Sequence, residues 1–572
     1  MLIFHHPYLS ANFMLKPIVI ILLVMMSFLP AAAQPEQPDL RLLSLPVAGE
    51  PGPATWLLGQ PYGNTTGAYN FGTQWYAAGQ GLHFGVDFSM PCGTPLLAMA
   101  DGIVRFVDDF SFGSRPHNLL IEYPEAGVIV LYGHLNTTAP VIAGQSVTRG
   151  QVVGFSGDPD ATCDSRPHLH LEIRSLNYRT TYNPVSYIAT NWHNLAVVGS
   201  FGYPLFQGDM DNARRWMSLE EQPDVSFGGV RLNDYTAPFP PPNALRPPPN
   251  PPLARPASPL PDGVTWRARQ VGFDRCCWMR WWHPTDPTRF YVIDGTPGQR
   301  ANLLLWSAET GAPESLVGQA PPPYYSPDGT HEIINNGGQV TIRRVNDGAT
   351  WTVVTGGPTP AISADNTRLT WTVSRASAVP GQPSPPAAIY ISDLSGANTR
   401  EILSQPGVSA QWLDAARLLI VTPGAGRAMT LAVYDTLTDT GYTLGTWRWM
   451  RGLSVAPGGG RLLFYLTYQT DPAESGIYTI ETRPDAQAVK LNWFGGWRWR
   501  DADSVYYIPL DTAAPQTLRY YEIPSGRDTV LTDPAQLPFM VMNGDWSVSA
   551  DGRSILFQNA ADQNLWLLEM QP

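Results

Sequence analysis

Apolar and polar residues alternate along most of this chain in short runs with a period near two. Gly102-Ile103-Val104-Arg105-Phe106-Val107, Val128-Ile129-Val130-Leu131 and Gly150-Gln151-Val152-Val153-Gly154-Phe155 are examples. Turn-forming Gly, Asn, Asp and Pro separate these runs, a pattern that predicts short strands joined by tight turns. Between residues 55 and 190 almost no helical periodicity is found, so this stretch reads as a mostly antiparallel β domain. Residues 34–54 form a polar, proline-rich leader. Residues 191–237 read as an irregular extension, with a short helix from Asn212 to Leu219. Residues 238–262 form a linker rich in proline (Pro240-Pro241-Pro242, Pro247-Pro248-Pro249). Such a segment is stiff and extended, and it should act as a spacer between two independent bodies.

Beyond the linker the pattern repeats. Ser326-Pro327-Asp328-Gly329, Ser363-Ala364-Asp365-Asn366, Ala456-Pro457-Gly458-Gly459 and Ser549-Ala550-Asp551-Gly552 are turn tokens, each followed by an apolar strand. Degenerate copies start near His283, Trp412 and Trp499. A period in the forties with several strands per unit predicts β-propeller blades over residues 263–572, seven by this count and six as the nearest rival. The last unit is too short for a full blade, and Thr265 to Val271 is the strand available to close the ring. The units resemble TolB-like and WD-type propellers. Trp281, Trp282, Trp497 and Trp499 either stack on sugars or pack between blades, and packing is the favoured reading.

Composition narrows the compartment and the partners. A net charge of −12 leaves no basic footprint for nucleic acid. The apolar run Ile18 to Leu29 follows Lys16 and precedes Ala31-Ala32-Ala33, which predicts a signal peptide over residues 1–33 cleaved after Ala33. No later segment is apolar enough to span a membrane, so the mature protein is expected to be secreted or loosely wall-associated. Four cysteines fit an oxidising compartment. A Cys92–Cys163 disulfide is expected beside the site described next. For the adjacent pair Cys276-Cys277, free or buried thiols are favoured over a strained ring.

The chemistry lies in histidines. His83-Phe84-Gly85-Val86-Asp87 and His168-Leu169-His170 both fall in strand-like sequence. Alternation puts His83 and Asp87 on one face, and His168 and His170 on one face. Two imidazoles and a carboxylate supply three ligands to Zn²⁺ and leave a fourth position for water, as in catalytic zinc sites. One of the three histidines is then surplus. Glu172 shares the face of His170 and is either an imidazole-orienting partner or a solvated carboxylate. His117 and His193 match no motif and read as surface or capping residues.

A third element, Tyr132-Gly133-His134-Leu135, completes a set. H-x-x-x-D, then G-H-L, then H-x-H followed by an apolar residue and Glu resembles the lysostaphin-type, or LytM-type, zinc metalloendopeptidases that cleave peptidoglycan. The resemblance covers roughly residues 55–190. It implies that His83, Asp87 and His170 bind Zn²⁺ and that His134 and His168 are catalytic. It implies an all-β peptidase domain followed by the propeller. The implied activity is hydrolysis of stem peptides, cross-bridges or other Gly-rich peptides by a metal-activated water. An HExxH helix is absent, which disfavours a thermolysin-like mechanism. Some members of the family have lost ligands and activate other wall hydrolases. The alternative is therefore a non-catalytic activator or wall-binding protein whose propeller holds a wall polymer or a protein partner.

Overall fold

In the segment His168-Leu169-His170-Leu171-Glu172-Ile173-Arg174, the apolar Leu169, Leu171 and Ile173 are wholly buried. They fall on one face of a strand, and the ionisable residues fall on the other. This strand organises the first body of the protein. The computed structural model describes residues 41–571 apart from 73, 199–216, 233–252, 262, 278, 296–301, 320–323, 375–384 and 538. The signal peptide, the leader before residue 41, the Asn212–Leu219 helix up to residue 216 and the linker up to residue 252 lie outside the described residues.

The first body contains eleven strands: β1 (Leu57–Leu58), β2 (Val86–Ser89), β3 (Pro95–Leu97), β4 (Gly102–Val107), β5 (His117–Tyr123), β6 (Val128–Leu135), β7 (Ser146–Val147), β8 (Val152–Phe155), β9 (His168–Arg174), β10 (Thr180–Tyr182) and β11 (Val225–Ser226). The main sheet has the order β1-β2-β9-β6-β5-β4-β7, with β10 and β11 attached beside β9. β3 and β8 form a small second sheet. All the pairings are antiparallel. Phe88, Leu169, Leu171, Val130 and Tyr132 pack on the buried face with Trp56 and Trp192. Within this core the Tyr123 and Tyr132 hydroxyls meet at 2.7 Å, and Tyr132 donates to the Leu97 carbonyl at 2.9 Å. A buried phenol needs such partners. Among the described residues α-helix is confined to Thr66–Phe71 and Trp192–Leu195.

The second body is a propeller of seven four-stranded sheets. The turn tokens explain themselves locally. In three of the four the Ser hydroxyl donates to the Asp two residues on, at 2.7 Å for Ser326–Asp328, 2.6 Å for Ser363–Asp365 and 2.6 Å for Ser549–Asp551. The same hydroxyl accepts the backbone N–H five residues on, which starts the next strand. These are side-chain-capped turns between the first two strands of a blade. Cores form between neighbouring sheets: Leu419 and Leu431 of one share a cluster with Leu462 and Phe464 of the next. The strand Thr265–Gln270 pairs along its whole length with Leu565–Gln571, so the chain's own early strand closes the ring. Trp282 and Trp499 are buried. Trp282 donates to Ser547 of a neighbouring blade, while Trp497 and Trp499 both donate to Ser454. Packing between blades accounts for these residues.

Cys92 and Cys163 are joined, with Cα atoms 5.8 Å apart. The bridge ties the segment after β2 to the segment before β9. Cys276 and Cys277 are also joined to each other, which corrects the reading of free thiols.

The two bodies touch directly, and residues 41–572 form one compact unit. Leu57, Val197 and Val198 belong to a propeller core cluster with Ile508 and Phe539. Asn194 donates to the Ala514 carbonyl at 2.8 Å, and Tyr468 donates to the Ser89 carbonyl at 2.6 Å. The described end of the proline-rich segment is itself packed: Leu260 is buried, and Arg255 donates to the carbonyls of Arg500 and Ser549. A spacer that held the bodies apart would make none of these contacts.

Candidate metal centre and its cleft

Strand register assembles the centre. Asp87 of β2 lies opposite His170 of β9, and Gly133 of β6 lies opposite His170 from the other side. Ser89 lies opposite His168. Two glycines make room. A Cβ on Gly85 would stand 2.6 Å from the His170 ring, and one on Gly133 would stand 2.6 Å from the Ser114 side chain. His134 then takes φ = 57° at the end of β6. This left-handed turn is uncommon for a non-glycine residue.

His83, Asp87 and His170 present a ligand atom each within one small group. His83 Nε2 is 3.3 Å from His170 Nδ1 and 3.3 Å from Asp87 Oδ1, and His170 Nδ1 is 2.8 Å from that oxygen. Tetrahedral zinc with bonds near 2.0–2.1 Å needs ligand atoms ~3.3 Å apart. Two of the three separations match that spacing, and the third, between His170 and Asp87, would open by about 0.5 Å around such an ion. The outer atoms of both rings are engaged as ligand histidines require. His83 Nδ1–H donates to the Pro61 carbonyl at 2.7 Å, and His170 Nε2 faces Glu172 at 3.3 Å. Arg174 donates to the other Glu172 oxygen at 2.7 Å. Glu172 is wholly buried, so it is a partner that orients His170 and not a solvated carboxylate.

The electrostatics call for positive charge. Burial pushes Asp87 up, but the imidazoles of His83 and His168 and the hydrogen bonds outweigh it and hold the group well below the usual carboxylate range. Burial likewise works against the charged Glu172, and the Arg174 guanidinium and His170 reverse it. His170 is raised to about 9: its burial is overcome by hydrogen bonds and charges from Asp87 and Glu172. A cation between these carboxylates is thus favoured, which is the setting a divalent ion takes.

His134 and His168 stand beside this group, with ring centres 4.9 Å apart. Each commits Nδ1–H to a backbone carbonyl, His168 to Arg166 at 2.6 Å and His134 to Arg115. That leaves each Nε2 with its lone pair. Burial, followed by the neighbouring imidazoles of His168 and His170, depresses His134 to about 3. Both rings line a cleft of about 580 Å³ together with His83, Asp87 and His170.

All five sequence-predicted residues therefore meet in one place. His117 does not: it pairs with Asp108 at 3.0 Å. His193 pairs with Glu220 at 3.2 Å and also faces the Asn543 N–H of the propeller. The cleft contains residues that no motif announced, among them Tyr76, Arg166 and Arg451. Tyr76 packs edge-on to His83, and burial, then the Asp87 charge, pushes its phenol up to about 12. Arg166 stacks on Trp75. Tyr76 sits in a turn-rich stretch without periodicity, and Arg451 is hundreds of residues away, so local pattern carried no signal for either.

Comparison with known proteins agrees with this geometry. Residues 81–184 match peptidase family M23. The chain is 37% identical over 105 residues to the DD-carboxypeptidase/endopeptidase Mpg of Neisseria meningitidis, covering 18% of this chain and 22% of that protein. It is 34% identical over 91 residues to the peptidoglycan DD-endopeptidase ShyA of Vibrio cholerae, covering 16% of this chain and 20% of that protein. The chain thus spans about a fifth of the length of these curated relatives. Among solved structures, a TolB protein from Agrobacterium tumefaciens is similar at 17% identity and a TM-score of 0.26, over 45% of this chain and 94% of its own. This chain carries a peptidase family M23 domain, matched over residues 81–184, together with a seven-bladed β-propeller.

Proposed function

We propose that this protein is an exported zinc endopeptidase that hydrolyses peptide bonds in peptidoglycan stem peptides or cross-bridges. The observation that carries the reading is the donor group of His83, Asp87 and His170 at tetrahedral spacing, with two further imidazoles turned into the same cleft. A zinc ion bound there would supply Lewis-acid polarisation of the scissile carbonyl and acidify a water. The chain's own residues do the rest. His83 and His170 are held in the ligating tautomer by Pro61 and Glu172. His134 and His168 each turn Nε2 into the cleft, that of His168 3.7 Å from Asp87 Oδ1, so one accepts a proton as general base and the other, once protonated, donates to the developing oxyanion. The Tyr76 hydroxyl stays protonated and is a further donor in the cleft. Export is supported by the apolar run Ile18 to Leu29 and by the Cys92–Cys163 bridge. The peptidoglycan substrate is supported by the activity in ShyA's name.

The test is the purified full chain on isolated peptidoglycan. Soluble peptides and new amino groups should appear, cease with a chelator and return with added zinc. A zinc-loaded chain that releases no peptide from peptidoglycan would refute the proposal and favour a non-catalytic wall-binding or activating role.

A further inference from the structure

Arg451 comes from the propeller yet lines the cleft of the other body. It lies on the strand Met450–Val455, 362 residues from its partner Ser89. Its Nη2 donates to the Ser89 hydroxyl at 3.0 Å. Ser89 stands two positions beyond Asp87 on β2, so both side chains share a face, and Ser89 is opposite His168. Two residues of strand span about 7 Å. The guanidinium, seated on Ser89, is therefore about two residues of extended peptide along the strand from the position of Asp87. Tyr468 seats it there. The Tyr468 ring lies 5.4 Å from the guanidinium carbon, and its hydroxyl donates to the Ser89 carbonyl.

The charge balance of the cleft is the second observation. The chain carries a net −12, yet Asp87 is the single carboxylate among the described residues that line the cleft, and it is engaged with the histidines. Arg166 and Arg451 line the same walls. Among the described residues Arg451's partners are Ser89 and the Tyr468 ring, and no carboxylate pairs with it. A guanidinium offers a planar fork of five donors that matches a carboxylate in bidentate fashion. One of those donors is spent on Ser89.

We propose that Arg451 is a specificity-determining residue, lent by the propeller, that binds a free carboxylate on the substrate about two residues from the scissile bond. The inference rests on the reading of the cleft as a peptidase site, and it names the substrate class: peptides with an acidic group about two residues from the cleaved bond. An all-glycine bridge carries no such group. On this view the propeller is part of the cleft and not an appendage.

Two synthetic peptides test it, each with a reduced, uncleavable amide at the scissile position, one with Glu and the other with Gln two residues from it. Calorimetric titration of the full chain should give a Kd about 10- to 100-fold lower for the Glu peptide, the scale of a hydrogen bond to a charged group. Arg451→Gln keeps a donor for Ser89 but removes the charge, and the preference should vanish. Arg451→Lys should retain part of it. Equal binding of both peptides by the unaltered chain would overturn the inference, as would a preference that survives in Arg451→Gln. Hydrolysis of peptidoglycan is scored separately. A chain that prefers the Glu peptide but cleaves nothing refutes the peptidase reading and keeps the carboxylate subsite. A chain that cleaves without preference does the reverse.

Discussion

The four imidazoles of the cleft divide by which ring atom is already spoken for. His83 and His170 point outward to a carbonyl and a carboxylate and inward to the shared donor group. His134 and His168 point outward to carbonyls and inward to the cleft, His168 Nε2 lying 3.7 Å from the Asp87 carboxylate. Substitutions should separate the two classes. His170→Ala leaves two ligands, so elemental analysis should find the zinc lost. His134→Ala and His168→Ala should keep most of the metal and lose roughly 10²-fold or more in hydrolysis, the scale of an acid–base group or an oxyanion donor. Metal-free His134→Ala protein would make that residue a ligand and reverse the assignment.

At the scale of elements, β9 is the organising piece. One of its faces supplies the core and the other the chemistry, with β2 and β6 paired on either side. The disulfide fixes the approach to both ligand-bearing strands, closing 71 residues of chain. On the chain-entropy account that closure is worth about 4 kcal/mol. Replacing Cys92 and Cys163 with Ser should lower the melting temperature under non-reducing conditions. Adding reductant should lower the unaltered protein toward the same value. If the double variant melted with the parent, the bridge would contribute nothing to stability.

For the whole molecule, two features join distant parts of the chain. One is ring closure, where Thr265–Gln270 covers the edge of the last blade. Deleting that strand removes a full row of register pairs and exposes an unpaired edge. Amide hydrogens of Leu565–Gln571 should then exchange at rates set by local opening, well above those of other inner blade strands. Unchanged protection there would mean that the blade stands on three strands alone. The other feature is the contact of Ser89 with Arg451 and Tyr468, through which the propeller becomes a wall of the cleft.

Much of this was legible in the chain itself, for local reasons. Alternation along a strand is a property of neighbours, so H-x-H and H-x-x-x-D already determine which side chains share a face. The blade tokens were legible because most of these turns, at Ser326, Ser363 and Ser549, close on their own Ser and Asp. The bridge between Cys92 and Cys163 and the closing strand followed from the same local reading. What only the tertiary structure decided depends on groups brought together from afar. It chose the nitrogen each imidazole turns inward, through carbonyls such as Pro61 and Arg166. It buried Glu172 against Arg174, turning an ambiguous carboxylate into the partner of His170. It joined Cys276 to Cys277 and packed Leu260 where a free spacer was expected. Above all it carried Arg451 across 362 residues to Ser89. Packing between two bodies depends on the shapes both present, and no period within either one encodes it.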